Sequence, residues 1–275
     1  MKASRSPWFM CILIEPNQKL SQVKSINLKI KNSKGITLSS KLELPEQNEV
    51  IAYAIFAHCF TCSKNLNAVV NIAEALNSMG IAVLRFDFTG LGQSGGEFSE
   101  TDFSSNIQDL VDVAEYLSEE YEAPKLMIGH SLGGAAAIYA GKKIESIDAI
   151  ATVGAPSAPH HVQHLFQHSI DEIKEKGKAL VQLGGRGFTI SKQFVEDITN
   201  TNMEEVMDTL RKPIIILHSP QDTTVEIKNA AEIYGYAHHP KSFISLNGAD
   251  HLLTESKYSN YVGKMIAQWV TIYLS

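Results

Sequence analysis

Ser131 stands inside Gly129-His130-Ser131-Leu132-Gly133-Gly134, with a buried strand expected over 125–128 before it and a small-residue helix expected over 132–143. Strand, tight turn and helix form the context in which a Gly-x-Ser-x-Gly pattern lifts a serine hydroxyl clear of a sheet as a nucleophile. Gly129 and Gly133 leave space where any side chain would collide with the neighbouring strand or helix. The amides opening the following helix face the place where an oxyanion would develop. The chemistry this implies is acyl transfer through a covalent intermediate on Ser131.

A serine hydroxyl is a poor nucleophile at neutral pH, so a base must take its proton and a carboxylate must hold that base. For this elbow the partners come later in the chain, acid first and then histidine, after strands. Asp222 lies on the loop after an apolar strand over 213–218, and His251 on the loop after a strand over 242–246. We therefore read Ser131 as nucleophile, His251 as general base and acid, and Asp222 as its orienting carboxylate. Asp222 could alternatively cap the segment that begins at Thr224. Asp250 is a rival acid, poorly placed because a residue adjacent to His251 has difficulty facing its ring. Two backbone amides are expected to bind the oxyanion: Leu132, immediately after the nucleophile, and Phe60, on the loop His58-Cys59-Phe60-Thr61 that leaves a strand over 50–57.

These residues need a scaffold that brings strand ends together. Alternation predicts an opening hairpin, strands over 26–31 and 36–44 around the turn Ser33-Lys34-Gly35. The 50–57 segment is almost continuously apolar, as a strand covered on both faces should be. Helices over 65–79, about 102–121 and 132–143 then alternate with strands over 81–86, 125–128 and 147–153. Regular alternation breaks from 155 to about 211, a polar, Gly- and His-bearing stretch with a short hairpin expected over 184–190, and resumes with strand 213–218, helix 224–234, strand 242–246 and a last helix over 257–273. Repeated strand and helix units predict an α/β fold, a mostly parallel twisted sheet with helices on both faces and an N-terminal antiparallel hairpin. The interruption, about 157–211, reads as a small lid inserted over the sheet. Residues 1–21 form an unassigned extension and 22–275 one domain. Trp269 is expected to anchor the last helix in the core, its replacement by Ala costing about 3–5 kcal/mol.

The elbow, the segment His58-Cys59-Phe60-Thr61-Cys62-Ser63-Lys64-Asn65 and the segment Leu84-Arg85-Phe86-Asp87-Phe88-Thr89-Gly90-Leu91-Gly92-Gln93-Ser94 resemble the α/β-hydrolase superfamily, in particular the serine hydrolase module that many bacteria join to an OsmC-like domain. The resemblance runs over about 22–275 and implies the α/β-hydrolase fold and a serine ester, thioester or amide hydrolase with a small lid. It departs from that pattern in having no OsmC-like domain after the final helix, so peroxidase chemistry is not expected of it. Cys59 stands where many hydrolases carry a glycine, which bears on the second oxyanion donor. The implied reaction is carboxylesterase-like cleavage of a small to medium acyl ester or thioester, without cofactor or metal. Serine aminopeptidase-like or acyltransferase action are alternatives, as is a catalytically silent binding module that keeps the fold; turnover of short-chain nitrophenyl esters separates that last reading from an enzyme.

Composition agrees with a folded enzyme. With 275 residues, 44% hydrophobic and 8% aromatic, the chain is long enough to bury a large core and too apolar to be disordered. A formal charge of −6 makes nucleic acid an unsuitable partner, although residues 1–43 carry eight Lys or Arg against two Glu. Lys24, Lys29, Lys31 and Lys41 are read as the solvated face of the hairpin. The apolar run Trp8 to Ile14 behind Lys2 and Arg5 is too short and too abruptly ended by Glu15 for a secretory signal, and no stretch approaches the twenty apolar residues of a membrane span. Three cysteines, Cys11, Cys59 and Cys62, make a disulfide framework unexpected and the cytoplasm the default. Cys59-x-x-Cys62 also admits redox or zinc readings, but packing of the loop is the simplest; His160, His161, His164 and His168 in the lid are read as a solvated face in preference to a metal site. Asp87 and the turn Gly90 to Gly96 are expected to border the pocket, with Ser94 structural. The expected partner is a small-molecule acyl substrate, with no nucleic acid and no membrane, and monomer and homodimer are both open.

Overall fold

The computed structural model describes residues 24–45 and 49–274. The extension 1–21, with its apolar run and Cys11, lies outside the described residues. The chain opens with the antiparallel pair β1 (Lys24–Lys31) and β2 (Thr37–Leu44), joined through Asn32 and the Ser33-Lys34-Gly35 turn, where Gly35 takes φ +75°. Then follow β3 (Ala52–Ala57), α1 (Asn67–Asn77), β4 (Ile81–Phe86), α2 (Phe103–Glu120), β5 (Leu126–His130), α3 (Leu132–Lys143) and β6 (Ala149–Val153). The stretch that breaks the alternation contains a 3-10 segment (Pro159–Ser169), α4 (Ile170–Lys176), the hairpin β7 (Lys178–Leu183) and β8 (Arg186–Ser191), α5 (Lys192–Thr199) and α6 (Met203–Thr209). Last come β9 (Ile214–His218), α7 (Lys228–Tyr236), β10 (Lys241–Ser245) and α8 (Ser256–Val270).

Eight strands form one sheet in the order β1-β2-β4-β3-β5-β6-β9-β10. The two contacts made by β2 are antiparallel, and every pairing from β4 through β10 is parallel. The central strands are buried on both faces because alternate residues feed two separate cores. Ile55 and Ala57 of β3 join the core under α2 and α3, whereas Ala54 and Phe56 join the one under α1 and α8. On the second face, Gly263 lets α8 approach α1 so closely that a Cβ there would lie 2.6 Å from the Ala75 methyl. The first strand is the sheet edge, where the exposed Lys24, Lys29 and Lys31 discourage pairing with another chain. The hairpin expected over 184–190 is the β7–β8 pair, which makes a separate two-stranded sheet.

One expectation needs correction. Trp269 is half-buried and sits at the margin of the core: its indole donates to Ser242 Oγ at 3.1 Å and its ring rests 4.9 Å from that of Tyr273. The inward stripe of α8 is Val262, Ile266 and Val270, at the four-residue spacing of one helix face, which leaves position 269 on the flank. Trp269→Ala is therefore expected to cost about 1–2 kcal/mol for its partial burial, and Ile266→Ala about 2–5 kcal/mol. Chemical denaturation of the two variants checks the order; a larger loss at Trp269 would contradict this packing.

Candidate active site

Three loops at the carboxyl ends of parallel strands converge on Ser131. It follows β5 directly and takes φ 56°, ψ −129°, a left-handed conformation that a non-glycine residue adopts only under constraint. The constraint comes from both flanks. A Cβ on Gly129 would lie 2.2 Å from the Gly133 carbonyl oxygen, and a Cβ on Gly133 2.3 Å from that of His58 and 2.4 Å from that of Ala57. The two glycines thus let the elbow close onto the end of β3. The Ser131 amide donates to Val153 O at 2.9 Å, which ties the turn to β6.

His251 Nε2 lies 3.0 Å from Ser131 Oγ, and His251 Nδ1 lies 2.7 Å from Asp222 Oδ2. With Nδ1 donating to the carboxylate, Nε2 is free to accept the serine proton. The two oxygens of Asp222 have separate partners: Oδ1 accepts from the Thr224 and Val225 amides at 2.9 and 2.8 Å, in a turn that ends before α7 begins at Lys228 and so does not cap that helix, while Oδ2 faces the histidine. Burial acts to raise this carboxyl, but the hydrogen bond and charge of His251 and the two amides outweigh it and hold it below the usual range, so it stays ionised. The rival acid, Asp250, turns away and accepts from the Thr254 amide and hydroxyl at 2.8 and 2.5 Å.

Three residues of this site have no signature in the sequence. Gly154 follows β6 at φ +56°, and a Cβ there would stand 3.3 Å from Asp222 Oδ2 and 3.4 Å from His251 Nδ1, so its lack of a side chain makes room for the Asp222–His251 pair. His130 donates from Nε2 to the His251 carbonyl at 2.7 Å, and His218 from Nε2 to the Val225 carbonyl at 2.7 Å. Each buried ring clamps one of the loops that carry Asp222 and His251. Desolvation, reinforced by His251, pushes His130 down to about 3; desolvation also lowers His218, and His58 under the neighbouring loop. Only their position as histidines at strand ends could have hinted at this.

These rings predict a pH response. Unfolded histidine titrates near its ordinary value of about 6.5, so below that the unfolded chain binds protons that the native rings refuse. Stability is then complete above about pH 6.5 and declines as pH falls, by up to about 1.4 kcal/mol per pH unit for a fully buried ring, with the His130 share extending down to about 3. Melting temperatures between pH 7.5 and 5 should fall steadily; a flat profile would contradict neutral native histidines.

Phe60 lies on the loop after β3 and Leu132 opens α3, and both line one small cavity. As the first residue of a helix, Leu132 has an amide with no intrahelical partner. Cys59 and Cys62 correct the reading of the cysteines: they are joined in a disulfide that encloses Phe60 and Thr61. A turn bond from the Cys62 amide to Cys59 O at 3.1 Å and a left-handed Thr61, φ 59°, bring the two Cα atoms to 5.3 Å, inside disulfide range. Residue spacing alone could not show that turn, and the cysteine count no longer argues for the cytoplasm. Among the described residues no helix is long and apolar enough to cross a membrane.

The Asp87 turn is more than a border. Lys64 Nζ meets Asp87 Oδ2 at 2.5 Å, Ser39 Oγ at 3.0 Å and Gln93 Oε1 at 3.0 Å, and the Lys64 amide donates to Asp87 Oδ1 at 2.7 Å. Arg85 pairs with Glu43 at 2.6 Å and donates to the Lys64 carbonyl. The far end of the loop bearing Phe60 is thereby moored to the sheet by buried charges. Ser94 serves the same turn, donating to Asp87 O and accepting from the Ser39 amide. Over the site, Arg186 of the β7–β8 hairpin donates to the Thr61 carbonyl, and Phe194 stacks on Phe60 with centroids 5.4 Å apart. Of the lid histidines, His161 donates to the Thr224 carbonyl at 3.0 Å and so braces the Asp222 loop, while His164 packs on His161. No group of three His, Cys, Asp or Glu among the described residues is placed to hold a metal ion.

The sheet order and this elbow can now be set beside known proteins. A solved structure of the esterase domain of a Rhodothermus marinus protein is 44% identical, covers 92% of this chain and 100% of its own, and superposes with a TM-score of 0.75. The chain belongs to the α/β-hydrolase superfamily. Mouse alpha/beta hydrolase domain-containing protein 10 shares the fold at 20% identity, with 89% and 98% coverage and a TM-score of 0.73. The mitochondrial palmitoyl-protein thioesterase ABHD10 of Rattus norvegicus is 25% identical over 212 residues, 74% of this chain and 69% of its own. A family model described as serine aminopeptidase, S33, matches residues 55–184, a span of this α/β-hydrolase that holds Ser131 and Phe60 and stops before Asp222 and His251.

Proposed function

We propose that this α/β-hydrolase cleaves small to medium acyl esters or thioesters through an acyl-enzyme on Ser131. The observation that carries the reading is the unbroken relay Ser131 Oγ, His251, Asp222 at 3.0 and 2.7 Å, built on a strained elbow. Ser131 Oγ attacks the carbonyl carbon while His251 Nε2 takes the hydroxyl proton, and the oxyanion is received by the Leu132 and Phe60 amides. Collapse breaks the bond to the alcohol or thiol, which leaves with that proton. A water then gives its proton to His251, attacks the acyl carbon and releases the acid and Ser131. Asp222 keeps Nδ1 protonated and stabilises the imidazolium. The sequence of steps uses no cofactor.

The esterase and thioesterase names of the relatives support bond cleavage of this class. Amide hydrolysis is the second reading, favoured by the aminopeptidase family model. A panel of nitrophenyl esters, acyl thioesters and aminoacyl nitroanilides, graded by acyl length, tests both, together with a fluorophosphonate probe. Ester or thioester turnover and a probe adduct on Ser131 are expected. Turnover of nitroanilides alone would favour the peptidase, and no adduct with no turnover would leave a binding module.

A further inference from the structure

The Cys59–Cys62 disulfide closes a loop whose backbone includes the Phe60 amide, the expected second oxyanion donor. One end of this loop is fixed. Cys59 is buried, and its neighbour His58 lies against the elbow, where a Cβ on Gly133 would stand 2.3 Å from the His58 carbonyl oxygen. The other end is open: Thr61, Cys62 and Ser63 are only half-buried, and the next buried residue is Lys64. Between the two ends Thr61 takes φ 59°, a left-handed conformation that β-branched residues avoid. Three non-covalent contacts support the loop: the turn bond from the Cys62 amide to Cys59 O, Arg186 on the Thr61 carbonyl, and Phe194 stacked on the Phe60 ring. Arg186 is exposed, and a stacked side chain leaves its own backbone free to turn. The disulfide is the covalent constraint on the direction of the Phe60 N–H.

We infer that Cys59 and Cys62 form a thiol–disulfide exchange site that regulates this hydrolase: the closed bond holds the Phe60 amide toward the oxyanion, and reduction by a dithiol releases it and lowers turnover. This rests on the proposed acyl-enzyme. Exchange begins at Cys62, the more exposed of the two residues. A thiolate of the dithiol attacks Cys62 Sγ and breaks the S–S bond, and Cys59 leaves as a thiolate that takes up a proton. The second thiolate of the reductant then attacks its own sulfur bonded to Cys62, which closes the reductant's disulfide and frees Cys62 to be protonated in turn. Two electrons and two protons pass to the protein, and the dithiol is oxidised. The freed thiols stay three positions apart on one turn, so a disulfide oxidant closes them again. Opening the bond lets Thr61 return to negative φ and turns the peptide groups beside it. Deleting one oxyanion donor costs about 10²- to 10³-fold in kcat; the turn bond and Arg186 keep part of the geometry, so reduction is expected to cost about 5- to 50-fold.

Turnover of nitrophenyl butyrate is compared for the oxidised protein, the dithiothreitol-reduced protein and the reduced protein reoxidised with glutathione disulfide. Each is freed of reagent by gel filtration, because dithiothreitol itself attacks nitrophenyl esters. Reduction should add two titratable thiols and lower kcat about 5- to 50-fold with KM nearly unchanged, as for an interaction made only in the transition state. Reoxidation should restore it, and fluorophosphonate labelling of Ser131 should slow and recover in step. Cys62→Ser should turn over at the reduced level and ignore dithiol. The melting temperature should fall by only a few degrees on reduction, since so short a loop adds little stability. Equal turnover of oxidised and reduced wild type, no gain of thiols, a dithiol response that persists in Cys62→Ser, or loss of activity through unfolding would each overturn the exchange site while leaving Ser131-dependent ester hydrolysis standing. An oxidised protein with neither turnover nor probe adduct would overturn the underlying reading as well.

Discussion

Ser131→Ala is expected to lower kcat/KM on any ester or thioester substrate by about 10⁴- to 10⁶-fold, with little change in melting temperature. In the proposed reaction this hydroxyl oxygen becomes bonded to the acyl group, and among the described residues no other hydroxyl or thiol is hydrogen-bonded to His251. Because the three residues act as one unit, His251→Ala should cost nearly as much and the double variant scarcely more. What remains above the uncatalysed rate comes from the Leu132 and Phe60 amides and from binding. Ala keeps the backbone at 131 in its left-handed turn, and the neighbouring glycines are untouched, so circular dichroism and unfolding should match wild type. A Ser131→Ala protein that retains a tenth of wild-type turnover and yields no fluorophosphonate adduct would end the acyl-enzyme reading.

Asp87→Leu is expected to destabilise the fold by about 3–5 kcal/mol, since it strands the Lys64 ammonium in the interior. Asp87 is 1% and Lys64 3% exposed, and the carboxylate accepts from the Lys64 amide, the ammonium and the Gln93 amide. Gly92 makes the arrangement feasible: a Cβ there would stand 2.3 Å from Asp87 Cγ. A loss of that size corresponds to a fall in melting temperature of about 6–20 °C for a domain of this length. Lys64→Met combined with Asp87→Leu removes both charges and should recover most of the loss, because a buried ion pair replaced as a whole by apolar groups of similar volume is often nearly neutral. The single variant should also lose activity below its melting point, as the loop bearing Phe60 is moored through Lys64. Equal stabilities for the single and double variants would show that the pair is not the coupled unit described.

Much of this was readable one segment at a time. Helix α3 begins and ends at 132 and 143 as its run of small residues predicts, and β4 spans 81–86 as predicted from a segment that is apolar but for Arg85. Such patterns depend on neighbours a few residues away. The order of Ser131, Asp222 and His251 along the chain was legible for a related reason: each follows a strand, and parallel strands present their carboxyl ends on one side of the sheet. Trp269 was not legible in this way, since an aromatic residue at the flank of a helix stripe differs from one at its centre by a rotation that periodicity locates only coarsely.

Local pattern and chain order were enough for the strand-and-helix order and for naming Ser131, His251 and Asp222 as candidates, and the resemblance of a few motifs was enough for the superfamily. The mutual fit of the site came from the folded chain. His130 meets the His251 carbonyl across 121 positions, and Lys64 meets Asp87 across 23. Gly154 makes room for a pair that arrives from later loops. These are properties of distances between segments remote in sequence, and a buried group's partners, charge state and free hydrogen-bonding capacity exist only once those distances are set.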